Sequence, residues 1–77
     1  MKNYRTILQG ENIKLISYST HVATWDTENQ KLIRHWAGWS LTTQRHVNAF
    51  LESVEQPNIK KADWMAMPVV DTESAVA

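Results

Sequence analysis

The chain has 77 residues, no cysteine and a formal net charge of zero, with eight basic and eight acidic side chains. These exclude a disulfide framework, a thiolate zinc site and the basic excess of a chain held to nucleic acid by charge alone. No apolar run approaches the roughly 20 residues that cross a bilayer, and the opening MKNYRTILQGEN lacks the apolar stretch of a signal peptide, so the expectation is one soluble cytoplasmic domain over residues 1–77.

The charges are not evenly spread. Through His46 the bases Lys2, Arg5, Lys14, Lys31, Arg34 and Arg45 face only Glu11, Asp26 and Glu28. Beyond it, Lys60 and Lys61 stand against Glu52, Glu55, Asp63, Asp71 and Glu73. A mild dipole results.

In chain order, YRTILQG reads as a short strand ended by Gly10. Residues 11–25, ENIKLISYSTHVATW, are rich in Ile, Tyr, Thr and Val and free of Gly and Pro, which favours a strand. DTENQ is a turn cluster, and KLIRHWAGW reads as the returning strand of an antiparallel hairpin. Opposed residues of such a pair share a face, and a one-residue slip exchanges the faces. The parity with fewer buried polar groups gathers Ile16, Tyr18, Val22, Ile33, Ala37 and Trp39 on the inner face. Ser17, Ser19, His21, Ala23, Trp25, Leu32, Arg34 and Trp36 then lie on the outer one.

SLTTQRHVNAFLESV is a helix, with Val47, Phe50, Leu51 and Val54 at i, i+3, i+4 and i+7. Ser40 or Thr42 caps its start, since a hydroxyl accepts a free first-turn amide hydrogen, and Pro57 ends it. Residues 11–54 form the hairpin–helix core. Beyond Pro57, NIKKADWMAM reads as a short helix capped by Asn58 with Ile59, Ala62 and Ala66 inward. The rival for that region is an edge strand WMAMPVV. Residues 71–77 read as a flexible tail. The expected fold class is α+β: an antiparallel β-hairpin with one amphipathic helix packed on one face (ββα) and a short C-terminal element.

Tyr18, Thr20 and Val22, followed by Trp39, Ser40, Thr42, Thr43 and His46, form a pattern. Tyr-x-Thr-x-Val on a strand precedes Trp-Ser-x-Thr-Thr-x-x-His running into a helix. It resembles a group of small, uncharacterised phage proteins, over roughly the middle half of the chain and not beyond Val54. The resemblance implies a phage or prophage source and a compact hairpin–helix unit, with no assigned activity.

The chemistry-bearing residues give little support to catalysis. His21, His35 and His46 lack the i, i+4 spacing of a helical zinc pair, so no metal and no cofactor is expected. Ser40, Thr42 and Thr43 near His46 supply nucleophile and base types, yet a hydroxyl at a helix start is first a cap. With only Gly10 and Gly38, there is no phosphate-cradling loop. No enzyme is expected.

Four tryptophans are more than one helix and two strands cover. Trp25, Arg34 and Trp36, with His21 at the rim, therefore form an expected partner-binding face, since exposed aromatics beside Arg are the composition of interface anchors. Either the N-terminal segment or the residues around Trp64 close over that face, or it meets a protein partner or a second copy. The function expected is a non-catalytic accessory protein that binds a protein, including as an inhibitor or modulator of a host or phage machine such as a defence system. The alternative is a single-stranded nucleic-acid module stacking bases on the same face, helped by Arg45.

Overall fold

The structure is a computed structural model and describes residues 3–70. Four strands run in chain order, β1 (Tyr4–Gln9), β2 (Asn12–Ser17), β3 (Thr20–Asp26) and β4 (Lys31–Arg34). They are followed by α1 (Leu41–Ser53) and α2 (Lys61–Ala66). The sheet is an antiparallel meander, each strand pairing with the next. The α+β class stands as expected, with four strands and two helices instead of one hairpin and one helix. Residues 71–77, read as a tail, lie outside the described residues.

Two turns divide what the composition presented as longer runs. Gly10 turns β1 into β2 at φ +59°, a left-handed conformation that costs glycine little. The 11–25 stretch is not one strand. It breaks at Tyr18, whose φ is +56°, and returns as β3. A β-bulge between Leu15 and Ile16 pairs Leu15 with Ala23 but Ile16 with His21, leaving Val22 as the extra residue. An extra residue of this kind shifts the alternation of side chains along its strand.

The turn and the bulge overturn the expected parity. The face under α1 holds Leu15, Ser17, Ala23 and Trp25, with Leu32 and Arg34 of β4 opposite Trp25 and Ala23. Ile16 and Ile33 instead sit half-buried on the other face, while Val22 is buried in the core. From α1, Val47, Phe50 and Leu51 complete this core as their spacing foretold. Ser40 is the N-cap, its hydroxyl accepting from the Thr43 amide at 3.1 Å, and Thr42 is exposed in the first turn. Ser40→Ala is expected to lose about 1 kcal/mol in urea denaturation, while Thr42→Ala leaves the midpoint in place.

α2 begins after Lys60, not at Asn58, and turns Trp64 inward while Ala62 and Ala66 stay exposed. The strand reading of this region survives only as a single parallel bridge from Val69 to Arg34. The HWAGW segment is irregular rather than strand. There Trp36 lies so close over Gly38 that a β-carbon would come within 2.7 Å of its ring, and the Gly38 carbonyl accepts from Trp64 Nε1 at 3.0 Å.

Candidate functional site

The expected outer face does not exist as a surface. Trp25 is 6% and Arg34 4% exposed, because their true pleat parity aims them under α1 and α2. The Arg34 guanidinium donates to the carbonyls of Trp36 (2.9 Å), Ala37 (2.6 Å) and Met67 (2.8 Å), and stands 5.2 Å from the Trp64 ring centre. Five fixed donors suit such a ring of acceptors. Trp36 is half-buried against the core. The residues around Trp64 close the face, one of the outcomes the sequence left open. His21 lies on the opposite side of the sheet from Trp25 and Arg34. Arg45 is exposed on α1, away from His21. The five residues form no common site, and of the two indoles the base-stacking alternative relied on, Trp25 is buried and Trp36 half-buried.

Sequence reasoning also missed two amide side chains, the buried Gln44 and the half-buried Asn48. Gln44 accepts from Trp39 Nε1 at 2.6 Å and donates to the Ile59 carbonyl, and Asn48 accepts from the Ile59 amide at 2.8 Å. Together they fasten the link between the helices. Neither carries a local signal, since partners 11 and 15 residues away decide their role.

Three places bring chemistry-bearing groups together. The first is a groove of about 280 Å³ between the β2–β3 turn and the start of α1. Tyr18, Thr20, Val22, Trp39, Ser40 and Thr43 line it with Ser17 and Trp36, so most of the pattern noted in the sequence converges here. Beneath it Ser17 Oγ and His46 Nδ1 share a hydrogen bond of 2.7 Å, and the His46 ring lies 4.7 Å from that of Tyr4. Two of its hydroxyls have structural partners, Ser40 with the helix and Ser17 with His46.

The second is on the sheet face away from the helices. Thr24 Oγ1 lies 2.9 Å from His21 Nε2 and 2.8 Å from His35 Nε2, and His35 Nδ1 lies 2.8 Å from the Val70 carbonyl. A carbonyl only accepts, so His35 Nδ1 carries hydrogen. With both rings neutral, His35 Nε2 accepts from the Thr24 hydroxyl, whose oxygen accepts from His21. Among the described residues no group of three or more His, Asp or Glu is placed to hold a metal.

Two of the imidazoles are held below their ordinary pKa of 6.5. For His21 the causes are burial, then the charges of His35 and Lys14, and for His46 burial alone. The unfolded chain takes up these protons near 6.5, and the folded chain only at lower pH. Stability is therefore full above about pH 6.5 and is lost as pH falls through the lower folded values. The melting temperature is expected to fall between pH 7 and pH 5, with a shallower fall in the His21→Gln/His46→Gln double variant.

The third is the free edge of the sheet. Among the described residues no strand pairs with the outer side of β1, whereas Val69 and Val70 run beside β4. The Tyr18 amide donates to the Asn3 carbonyl at 2.8 Å, so Asn3 belongs to a hydrogen-bonded pair with β2. Alternation then turns the amides and carbonyls of Arg5, Ile7 and Gln9 toward β2, and those of Thr6 and Leu8 outward. Ile7 is 40% and Leu8 74% exposed. At the near end Tyr18, 63% exposed, is held in a left-handed conformation that costs a non-glycine residue about 1–2 kcal/mol.

A family model, that of the family of unknown function DUF8033, matches residues 1–66. The chain belongs to this family. No curated protein matches the chain, and no solved structure matches it. The DUF8033 match runs past Val54, where the resemblance seen in the sequence stopped, and ends with the last residue of α2. The DUF8033 unit thus includes Trp64 and the whole β1 edge. Among its described residues no helix is long and apolar enough to cross a membrane.

Proposed function

We propose that this chain is a small non-catalytic accessory protein that works by binding a polypeptide through strand addition at the outer edge of β1. One observation carries this reading: a six-residue edge strand with two exposed aliphatic side chains and outward-facing amides and carbonyls. Proteins guard such edges with Lys, Pro, bulges or a covering segment. β1 has no Lys and no Pro, its pairing with β2 is regular, and its one charged side chain is Arg5, two residues before Ile7. Strand addition takes affinity from main-chain hydrogen bonds and specificity from alternate side chains, here Ile7 on one face and Leu8 on the other. The capping role of Ser40 and the burial of the Ser17–His46 pair support a non-catalytic role. The resemblance to small phage proteins suits a short cytoplasmic chain that occupies a surface of a larger host or phage machine.

The test compares three forms of the chain as bait: the parent, Thr6→Pro and Glu52→Lys. Proline at Thr6 removes an outward amide and leaves the β2 pairing intact. Glu52 is exposed on α1. A polypeptide retained by the parent and by Glu52→Lys, and lost from a folded Thr6→Pro chain, is the expected result. Equal retention by Thr6→Pro overturns the reading.

A further inference from the structure

We infer that the groove between the β2–β3 turn and the start of α1 is a binding site for a nucleoside monophosphate, with the phosphate at the helix start and the base against the aromatic wall. The site shares no residue with the β1 edge and does not depend on strand addition there. The first observation is a hydroxyl without a partner. Thr43 is only 8% exposed, and its backbone amide donates to Ser40. Its side-chain hydroxyl makes no hydrogen bond among the described residues, although every fully buried polar side-chain atom there has one. The Thr43 hydroxyl therefore reaches solvent, and it does so in the groove that Thr43 lines. A mostly buried hydroxyl left unpaired costs stability, and an oxygen of a ligand would satisfy it.

The surroundings say what kind of oxygen. α1 has 13 residues, and Ser40 caps the Thr43 amide alone, so the Leu41 and Thr42 amides have no partner among the described residues. The Ser40 hydroxyl accepts in the cap and still has its own hydrogen to donate. The first turn holds no acidic side chain, and none lines the groove. Free amides, hydroxyl donors and the positive end of the helix dipole together favour an anion. The rest of the wall is aromatic: Tyr18, Trp36 and Trp39. Trp39 is fixed by its bond from Nε1 to Gln44, and Trp36 by its packing over Gly38. Fixed flat rings are what a base stacks on. At about 280 Å³ the groove suits one base and one phosphate, and no Lys or Arg lines it to follow a longer nucleic-acid backbone.

Nuclear magnetic resonance tests this through the four indole N–H signals of the isotope-labelled chain. The probes are AMP, adenosine and inorganic phosphate. AMP should shift the Trp36 and Trp39 signals saturably and leave those of Trp25 and Trp64, which lie outside the groove, in place. It should bind about tenfold tighter than adenosine, the worth of one hydrogen bond to a charged group, and tighter than inorganic phosphate. Thr43→Val and Thr42→Asp should each weaken AMP about tenfold. Both should melt at or above the parent's temperature, since one removes an unpaired hydroxyl and the other sets a carboxylate at the positive end of a helix. No saturable shift with AMP up to about 10 mM overturns the inference, because weaker binding would be below that of a specific site. Equal affinity for adenosine and AMP, or AMP binding untouched by Thr42→Asp, overturns the placing of the phosphate. Inorganic phosphate binding as tightly as AMP overturns the role of the aromatic wall. A trinucleotide with a terminal phosphate that binds much tighter than AMP overturns the mononucleotide class and assigns the groove to a strand end.

Discussion

Trp64→Ala is expected to cost about 3–5 kcal/mol and to leave little of the chain folded at 25 °C. Trp64 is 1% exposed and the largest of the fully buried side chains. It sits where three parts of the fold meet. Its indole packs on the core with Leu15 and Phe50, its Nε1 donates to the Gly38 carbonyl, and its face meets the Arg34 guanidinium. α2 has only six residues and is far too short to be stable alone, so its place depends on this side chain. A domain of this size holds a few kcal/mol in total, which makes the loss comparable to the whole. Urea denaturation followed by far-UV circular dichroism measures it. Trp64→Phe, which keeps most of the packing, should retain a cooperative transition at a lower midpoint. An alanine variant melting within a few degrees of the parent would show that α2 is not part of the core.

The second large effect is expected at Arg34. Arg34→Met keeps much of the volume but removes the donors that serve the carbonyls of Trp36, Ala37 and Met67. Each buried acceptor left without a partner costs about 1 kcal/mol or more, giving about 3 kcal/mol in all. Lysine should not rescue it, because one ammonium cannot reach acceptors spread around a planar fork. Thermal melting of Arg34→Met and Arg34→Lys beside the parent decides this. If Lys restored the parent's melting temperature, the side chain would be acting as a charge and not as a clamp.

Arg34 also shows where the sequence is legible and where it is not. Elements with a local cause can be read from residues a few positions apart: the Val47–Phe50–Leu51 stripe, the Ser40 cap, the turn at Gly10. The sheet faces cannot. Their parity depends on a turn at Tyr18, where a non-glycine residue takes a left-handed conformation, and on a bulge that composition does not signal. With the parity inverted, Trp25 and Arg34 read as surface anchors. A buried arginine becomes acceptable only because carbonyls from residues 36, 37 and 67 surround it, and no window around Arg34 contains all three. The open edge at β1 was passed over for a related reason. YRTILQG was read as a strand, but which strand ends up at the border of a sheet is a property of the whole topology.

The meander has a bearing on how the molecule opens. Each of its strand pairings joins chain neighbours, so the sheet comes together from adjacent hairpins with little loop entropy to overcome. The clasp formed by Trp64 on Gly38, Met67 on Arg34 and Val70 on His35 spans 26 to 35 residues and gathers late. Contacts that gather late and rest on a six-residue helix are the first to be released in native fluctuations. Amide hydrogens of α2 and Val70 should therefore exchange with deuterium through partial opening, well before those shared by β2 and β3.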